Sequence, residues 1–248
     1  MAKVSKIIWW GVFFVGLGFL GYSYFIEPNI IEVENQVFDL NCLSQNINNE
    51  KIVQISDLHF TDKTPQARAE RIFQEIEKIQ PAYIFITGDL VSNKGGKELM
   101  VGFTKQLSAI AKTYIIFGNW DYDAFGTGIV KFQKELENAG AVVLTDEFGQ
   151  VDFQGKCKIL LAHNPDIVKQ DLVGEFDLVL AGHTHGGQVY LPFITKEIVL
   201  RFVGGKDYPK GRFQTGWRSW LYVNRGLGVS SFPFRFLSPP EITIIILK

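Results

Sequence analysis

The chain has 248 residues, 46% of them hydrophobic, and a formal net charge of −1. That is enough apolar material for a core that needs no staples, which excludes a disordered chain. The near-neutral balance supplies no basic field for nucleic acid. Two cysteines, Cys42 and Cys157, match no CxxC or zinc-ribbon spacing, so one disulfide and two buried thiols both stay open.

Ile7–Ile26 carries no charge. Its length of about twenty residues spans a bilayer's hydrocarbon layer and exceeds the apolar region of a signal peptide. No small-residue cleavage site closes it, and no polar face marks it as a buried core helix. Trp9, Trp10, Tyr22 and Tyr24 stand near its ends, where amphipathic rings favour the interface. Residues 1–28 are therefore expected to be a membrane anchor and 29–248 a single domain. Lys3 and Lys6 precede the span while Glu27, Glu32 and Glu34 follow it. The positive-inside rule then puts the N-terminus in the cytoplasm, though two lysines leave the side of the domain open.

Ile31–Phe38 alternates apolar and polar residues, as a half-buried strand does. Lys51–Ile55 is the next strand and runs into SDLH. Pro65 opens a helix with Ala69, Ile72, Phe73, Ile76 and Ile79 on one face. Ala82–Thr87 is an apolar strand ending in GDL, Lys97–Ala111 a helix, and Thr113–Phe117 a strand ending in GNWD. Gly128–Asn138 is a third helix, closed by Gly140. Ala141–Leu144, Gln150–Phe153 and Lys158–Leu161 are short strands, the last running into AHNPD. Helices alternating with apolar strands predict βαβ units and a largely parallel sheet. Beyond the apolar run Phe176–Ala181 the helical period disappears, and Ile198–Val203, Trp220–Val223 and Glu241–Leu247 read as strands of a second, mostly antiparallel sheet.

Between these two regions lies AGHTHGGQ, Ala181–Gln188. His183 and His185 stand two residues apart, a spacing that puts both side chains on one face where the backbone is extended. Gly182, Gly186 and Gly187 free the backbone to turn both imidazoles towards one point. The ends of the other strands carry Asp57 and His59, Asp89, Asn119 and Asp121, and His163, so all four histidines of the chain join this set. In open α/β sheets the site lies beyond the carboxyl ends of the strands. With no cysteine among the donors, the set suits Mn, Fe or Zn doing chemistry better than a structural zinc.

The blocks DLH (57–59), GD (88–89), GN-x-D (118–121), HNPD (163–166) and GHTHGGQ (182–188) together resemble the calcineurin-like metallophosphoesterase superfamily, in matching order from Lys51 onward. The resemblance implies a four-layer αββα sandwich, with two central sheets flanked by helices. It also implies two divalent metal ions bridged by a shared aspartate and a hydroxide. Carried onto this sequence, Asp57, His59 and His185 hold one ion, Asn119, His163 and His183 hold the other, and Asp89 bridges them. Two cations about 3.5–4 Å apart cancel the charge of a phosphoester, orient it in line and generate a nucleophile near neutral pH.

The family usually reads GNHD, with a histidine that assists the leaving group, and here Trp120 stands in its place. Indole has no acceptor nitrogen and supplies no proton at working pH. The related UDP-2,3-diacylglucosamine hydrolases of lipid A synthesis include active members with arginine there. Asp89, Asn119 and Trp120 are the candidate catalytic positions, and Asp121 is left without a strong role. The stretch from Leu144 to His163 is short for the anchored members of the family, which predicts a cleft opened on one side. Arg225, in YVNRGLG, and Arg235, in FPFRF, are the cations expected at the mouth to bind phosphate. Phe232, Phe234 and Phe236 form either a lip beside the bilayer or one buried face of a strand.

The expected activity is metal-dependent hydrolysis of a phosphodiester or pyrophosphate by an anchored enzyme. Its substrate is expected to be lipid-linked, of UDP-2,3-diacylglucosamine type, with Mn ahead of Fe or Zn as the metal. Partners are the bilayer and the phosphoester, not nucleic acid. The alternative is a non-catalytic metal-binding interaction module that keeps the fold.

Overall fold

Alternation along the central strands decides the architecture. In the strand β2 (Lys51–Ile55), Val53 and Ile55 face one core while Ile52 faces another, and β3 (Tyr83–Thr87) divides Ile84 and Ile86 from Phe85 in the same way. A strand with two apolar faces needs cover on both. The computed structural model describes residues 2–40, 42, 50–144, 148–153, 155, 157–170, 174–191, 194–216 and 219–248. It supplies that cover as two stacked sheets with helices on the outside of the first.

The first sheet has six strands in the order β1–β11–β2–β3–β4–β5, with β1 at Glu32–Phe38, β4 at Lys112–Ile116, β5 at Val142–Val143 and β11 at Glu241–Leu247. Strands β2 to β5 run parallel, and β11 is antiparallel to β2. Helices α2 (Gln66–Ile79), α3 (Lys97–Ile110) and α5 (Ile129–Asn138) cover its outer face through Ile72, Ile76, Met100, Leu107, Phe132 and Leu136. As expected from the sequence, Pro65 precedes α2 and one apolar stripe of that helix is buried.

The second sheet has five strands, β6–β7–β8–β10–β9, at Phe148–Phe153, Cys157–Ala162, Leu178–Ala181, Trp220–Val223 and Gly211–Gln214 respectively. Its inner residues Ile159, Leu161, Leu178, Leu180 and Tyr222 meet Phe38, Ile52, Phe85, Ile245 and Leu247 of the first sheet. The outer face is covered by the helical turn Pro165–Lys169 and by Tyr208 and Phe213, so the fourth layer is thin.

Four expectations change. The strands at Gln150–Phe153 and Lys158–Leu161 and the run Phe176–Ala181 do not continue the first sheet but form β6, β7 and β8 of the second. Ile198–Val203 is not a strand but the end of helix α6 (Ile194–Val203), despite its β-branched residues. Its first turn is set by Leu191, whose carbonyl accepts from the backbone N–H of Ile194 and Thr195 and whose own N–H donates to Thr195 Oγ1. The segment Glu241–Leu247 joins the first sheet, because Ile242 and Ile244 face the helices while Ile245 and Leu247 face the second sheet. The second sheet is mixed rather than mostly antiparallel: β7, β8 and β10 run parallel, and its two edges, β6 from the short stretch after Leu144 and β9, are antiparallel to their neighbours.

Cys42 and Cys157 are joined in a disulfide, Cα to Cα 5.3 Å, between the segment after β1 and the start of β7. At the N-terminal end, α1 (Ala2–Gly21) continues through wider and tighter turns to Asn29. Trp9–Asn29 is long and apolar enough to cross a membrane, with 6% of its most apolar window buried. Its far end docks on the domain: the Arg235 backbone N–H donates to the Ser23 carbonyl, and the Ser238 N–H to the buried Glu27 carboxylate.

Candidate metal centre

Parallel strands place their carboxyl ends on one edge, and both sheets turn that edge to the same side. From the first sheet, β2 delivers Asp57 and His59, β3 delivers Asp89, and β4 leads into α4 (Asn119–Phe125), whose first residue is Asn119. From the second, β7 delivers His163, and β8 delivers His183 and His185. Beneath them the buried amide of Gln54 donates to Thr87 Oγ1 at 3.2 Å and to the Ala181 carbonyl at 3.0 Å, tying one sheet to the other. A lone glutamine inside the apolar run KIVQI was the sequence signal for that tie.

The donors sit on strained backbone. Asp57, His59, Asp89, His183 and His185 have φ between 50° and 70°, a left-handed region that side chains with a Cβ rarely adopt. Such conformations cost about 1–3 kcal/mol each and persist only where the surroundings over-determine them. Here the loops are stitched together: the Asp57 N–H donates to the Gly88 carbonyl, the His59 N–H to the Asp89 carbonyl, and the Gly182 N–H to the His163 carbonyl. The glycines at the strand ends allow the approach. A Cβ on Gly118 would overlap Asp89 Oδ1, and one on Gly182 would overlap Ser56 Oγ and Asp57 Oδ2.

Two donor groups result, Asp57 with His59 and His185, and Asp89 with His163 and His183, and within each the donor atoms lie within 4.8 Å of one another. His59 Nε2 is 3.1 Å from His185 Nε2, which is 3.4 Å from Asp57 Oδ1. His183 Nδ1 is 3.1 Å from His163 Nε2. Ligand atoms at about 2.0–2.2 Å from a common ion, roughly 90–110° apart, lie ~3–3.5 Å from each other, so these spacings fit a metal ion. Asp89 Oδ2 is 3.5 Å from His59 Nε2 and 3.2 Å from His163 Nε2, placing one carboxylate between the two groups. Its other oxygen accepts the Trp120 backbone N–H at 2.9 Å. Cys42, Cys157 and Asp177 also lie together, but both sulfurs are spent on the disulfide.

Hydrogen bonds on the far ring nitrogens set which atom faces inward. His163 Nδ1 donates to the Thr87 carbonyl at 2.9 Å, and His59 Nδ1 meets Ser92 Oγ at 3.0 Å, so both rings turn Nε2 to the centre. Burial holds His59 and His185 below the ordinary imidazole range, His185 further lowered by His59 and Arg235. Burial also lowers His163, but the charge of Asp89 and the hydrogen bond to it outweigh this and raise it to about 10. Asp89 is held down correspondingly: burial raises its carboxyl, and His163 and His59 lower it further.

Asp121 is the residue that the sequence reading undervalued. Its fully buried carboxylate accepts backbone N–H groups from Gly118, Leu90 and Val91 at 2.9, 3.2 and 3.1 Å. It therefore locks the loop that carries Asp89 to the loop that carries Asn119. Burial, with the nearby Asp89 charge, raises Asp121 to about 7 in spite of those bonds. The signal was present as the D of GN-x-D, three residues beyond Gly118.

Asn119 is exposed and lines, with His163, His183, Tyr122 and Asp166, a cavity of about 570 Å³. Trp120 is half-buried, its indole edge-on to His59 with ring centres 5.3 Å apart. The two arginines expected at the mouth are not there for substrate. Arg235 is 0% exposed, and its guanidinium donates to the carbonyls of Arg225, Gly226, Gly228 and Ser238, with Nη2 3.4 Å from His185 Nδ1. It backs the histidine turn from inside. Arg225 is buried among Glu32, Glu34 and Glu241, and with its charge already paired it has none to spare for a phosphate. Of the aromatic run, Phe236 packs on Phe19 and Phe234 on Tyr24, while Phe232 is exposed.

A family model described as calcineurin-like phosphoesterase matches residues 50–187. An uncharacterized metallophosphoesterase of Bacillus subtilis, YkuE, is 31% identical over 264 residues, covering 93% of this chain and 90% of its own length. The phosphodiesterase YaeI of Escherichia coli is 28% identical, covering 92% of each chain. The UDP-2,3-diacylglucosamine pyrophosphatase LpxG of Chlamydia trachomatis is 26% identical over 89% of this chain and 90% of its own.

Proposed function

The chain belongs to the calcineurin-like phosphoesterase family, and from that premise we propose that it is a membrane-anchored, two-metal hydrolase of a lipid-linked phosphodiester or pyrophosphate. The observation that carries the reading is Asp89, whose Oδ2 lies within 3.5 Å of histidine nitrogens from both donor groups. Asp57, His59 and His185 would hold one ion, and His163, His183 and Asn119 the other. The donors are nitrogen and oxygen only, which suits Mn, with Fe or Zn next. When bound, such a pair supplies Lewis-acid charge and activates water for an in-line displacement.

The chain's own residues do the positioning. Thr87 and Ser92 fix two imidazole rings, the Trp120 N–H pins one oxygen of Asp89 so that the other points inward, and Asp121 holds the loops in register. Asn119 stands where the centre opens into the cavity shared with His163 and His183, and would offer an uncharged oxygen to the second ion. Trp120 provides no acid, so the reaction favours leaving groups that depart without a proton.

Anchoring through Trp9–Asn29 supports a substrate carried by the membrane, since a tethered site meets it at high effective concentration. The likeness to LpxG supports UDP-2,3-diacylglucosamine as a specific candidate. The disulfide favours a different one. Disulfides persist in oxidising compartments, and the two lysines ahead of the span favour a domain outside the cytoplasm; both support an extracytoplasmic phospholipid.

The test is hydrolysis of bis(p-nitrophenyl) phosphate by the full chain with added Mn²⁺, beside an Asp89→Ala control. Metal-dependent turnover that disappears in the control is expected. Metal binding without turnover by the wild type would replace the enzyme reading with the metal-binding interaction module.

A further inference from the structure

The histidine turn borders a second cavity, of about 470 Å³, whose apolar walls are Phe19, Leu20, Val189, Leu200, Phe232 and Phe234, with Ser23, Thr184, Gln188, Ser230 and Ser231 between them. His183 and His185 line it too, and His183 is shared with the polar cavity on Asn119. Among the described residues no Lys, Arg, Asp or Glu lines it. Phe19 and Leu20 belong to the last turn of α1, so the apolar end of this cavity opens where the anchor helix meets the domain.

That junction is fixed by the fold. Phe19 packs against Phe236 with ring centres 4.5 Å apart, and Tyr24 against Phe234 at 5.4 Å. The Arg235 N–H to the Ser23 carbonyl and the Ser238 N–H to Glu27 tie the backbone, while Ser238 Oγ donates to the His185 carbonyl. One short segment therefore holds both the anchor and a metal-ligand loop. Gln188 closes the remaining wall: its amide donates to the Phe232 carbonyl, and its Oε1 accepts from the Ser230 backbone and hydroxyl.

We propose that this cavity is the hydrocarbon subsite of the enzyme, taking one alkyl or acyl chain of a membrane lipid whose phosphoester lies at the His183–His185 turn. The proposal rests on the phosphoesterase reading and adds to it where the chain goes. A pocket of this volume is within the range that holds small organic ligands. An aqueous nucleotide finds no charge partner among the described wall residues, whereas a methylene chain entering past Phe19 and Leu20 meets mainly apolar side chains on the way to the histidines. With the polar cavity beyond His183, the arrangement seats a lipid's tail and its polar group on two sides of the bond to be cut.

The experiment uses the full chain in lipid nanodiscs with Mn²⁺ and a series of p-nitrophenyl alkyl phosphodiesters from ethyl to hexadecyl, comparing wild type with Val189→Trp and Leu200→Trp. The wild type is expected to prefer the long chains, and each filling variant to lower the hexadecyl-to-ethyl ratio of kcat/KM by about tenfold or more. Binding of the non-hydrolysable hexadecyl phosphonate, measured by equilibrium titration, is expected to weaken in the same variants relative to the ethyl phosphonate. A ratio unchanged in both variants, or a wild type indifferent to chain length, overturns the subsite while leaving the phosphoesterase reading in place. Absence of turnover on every member by the wild type, with metal bound, overturns that reading instead.

Discussion

The two halves of the metal centre draw on the same residue types in different settings. Asp57, His59 and His185 are buried, and the enclosed guanidinium of Arg235 stands behind them. Of the other group, His163 and His183 line the cavity on Asn119, Asp89 is buried behind them, and the fourth candidate ligand, Asn119, is exposed. The inner half is built as part of the core. The outer half opens onto the cavity that Asn119 lines. Burial leaves the inner imidazoles below their ordinary range, while Asp89 raises His163 to about 10. Loss of an inner ligand should therefore cost stability as well as activity, and loss of Asn119 activity alone.

The sharpest way to erase the difference is to remove what the halves share. Asp89→Ala should bring phosphodiester hydrolysis to background and lower metal content, as read by elemental analysis of the purified protein. Next, His185→Ala and Asn119→Ala should diverge. Truncating a buried, partnered group costs on the order of 1–3 kcal/mol, and about 2–4 °C of melting temperature follows per kcal/mol in a chain of this size. His185→Ala should thus lower the melting temperature visibly as well as activity. Asn119→Ala, at an exposed position, should lose activity with a melting temperature within about 2 °C of wild type; equal shifts in the two variants would remove the distinction.

A subtler variant is Asp121→Asn, which keeps the shape but loses an acceptor for one of three backbone N–H groups. Misaligned supporting bonds typically cost 10–100-fold in metal affinity, so a loss of roughly tenfold is expected by metal titration. The pH dependence of binding should also separate the halves. In the metal-free protein His163 keeps its proton until about pH 10, so an ion entering the outer half must displace it. Affinity there should rise with pH, by up to about tenfold per unit below that value, with one proton released. His59 and His185 are already neutral near pH 7, so they contribute no such release. Calorimetric titration in buffers of different ionisation heat reads the proton count directly. The smallest effect is expected from Trp120→His, which should speed esters with poor alkyl leaving groups while leaving p-nitrophenyl esters nearly unchanged; a uniform change across both would assign the indole a different role.

That β6, β7 and β8 join the second sheet was hidden, because their apolar runs follow those of the first sheet with no break in pattern. The strands from Lys51 to Leu144 and the donor motifs up to Gln188 were legible through the alternation, the βαβ order and the glycine-bracketed donors. The later region was not. Ile198 and Val199 favour a strand by local propensity, but Leu191 and Thr195 start a helix ahead of them. Glu241–Leu247 reads as an ordinary buried strand, and nothing local says that it returns to the first sheet beside β2. Arg225 and Arg235 illustrate the same limit in the site. An arginine in a turn suggests a phosphate contact, yet only tertiary structure reveals three carboxylates around one and a ring of carbonyls around the other. The disulfide, open on spacing alone, became visible once β7 lay beside the segment that follows β1.

The most direct test of a two-metal centre bridged by Asp89 is a titration of Mn²⁺ into the metal-free full chain, counting bound ions by equilibrium dialysis while following hydrolysis of bis(p-nitrophenyl) phosphate. The account predicts two ions per chain, with turnover appearing only as the second is taken up, and fewer than two in Asp89→Ala. Saturation of binding and turnover at one ion per chain, or two ions retained with full activity in Asp89→Ala, would contradict it.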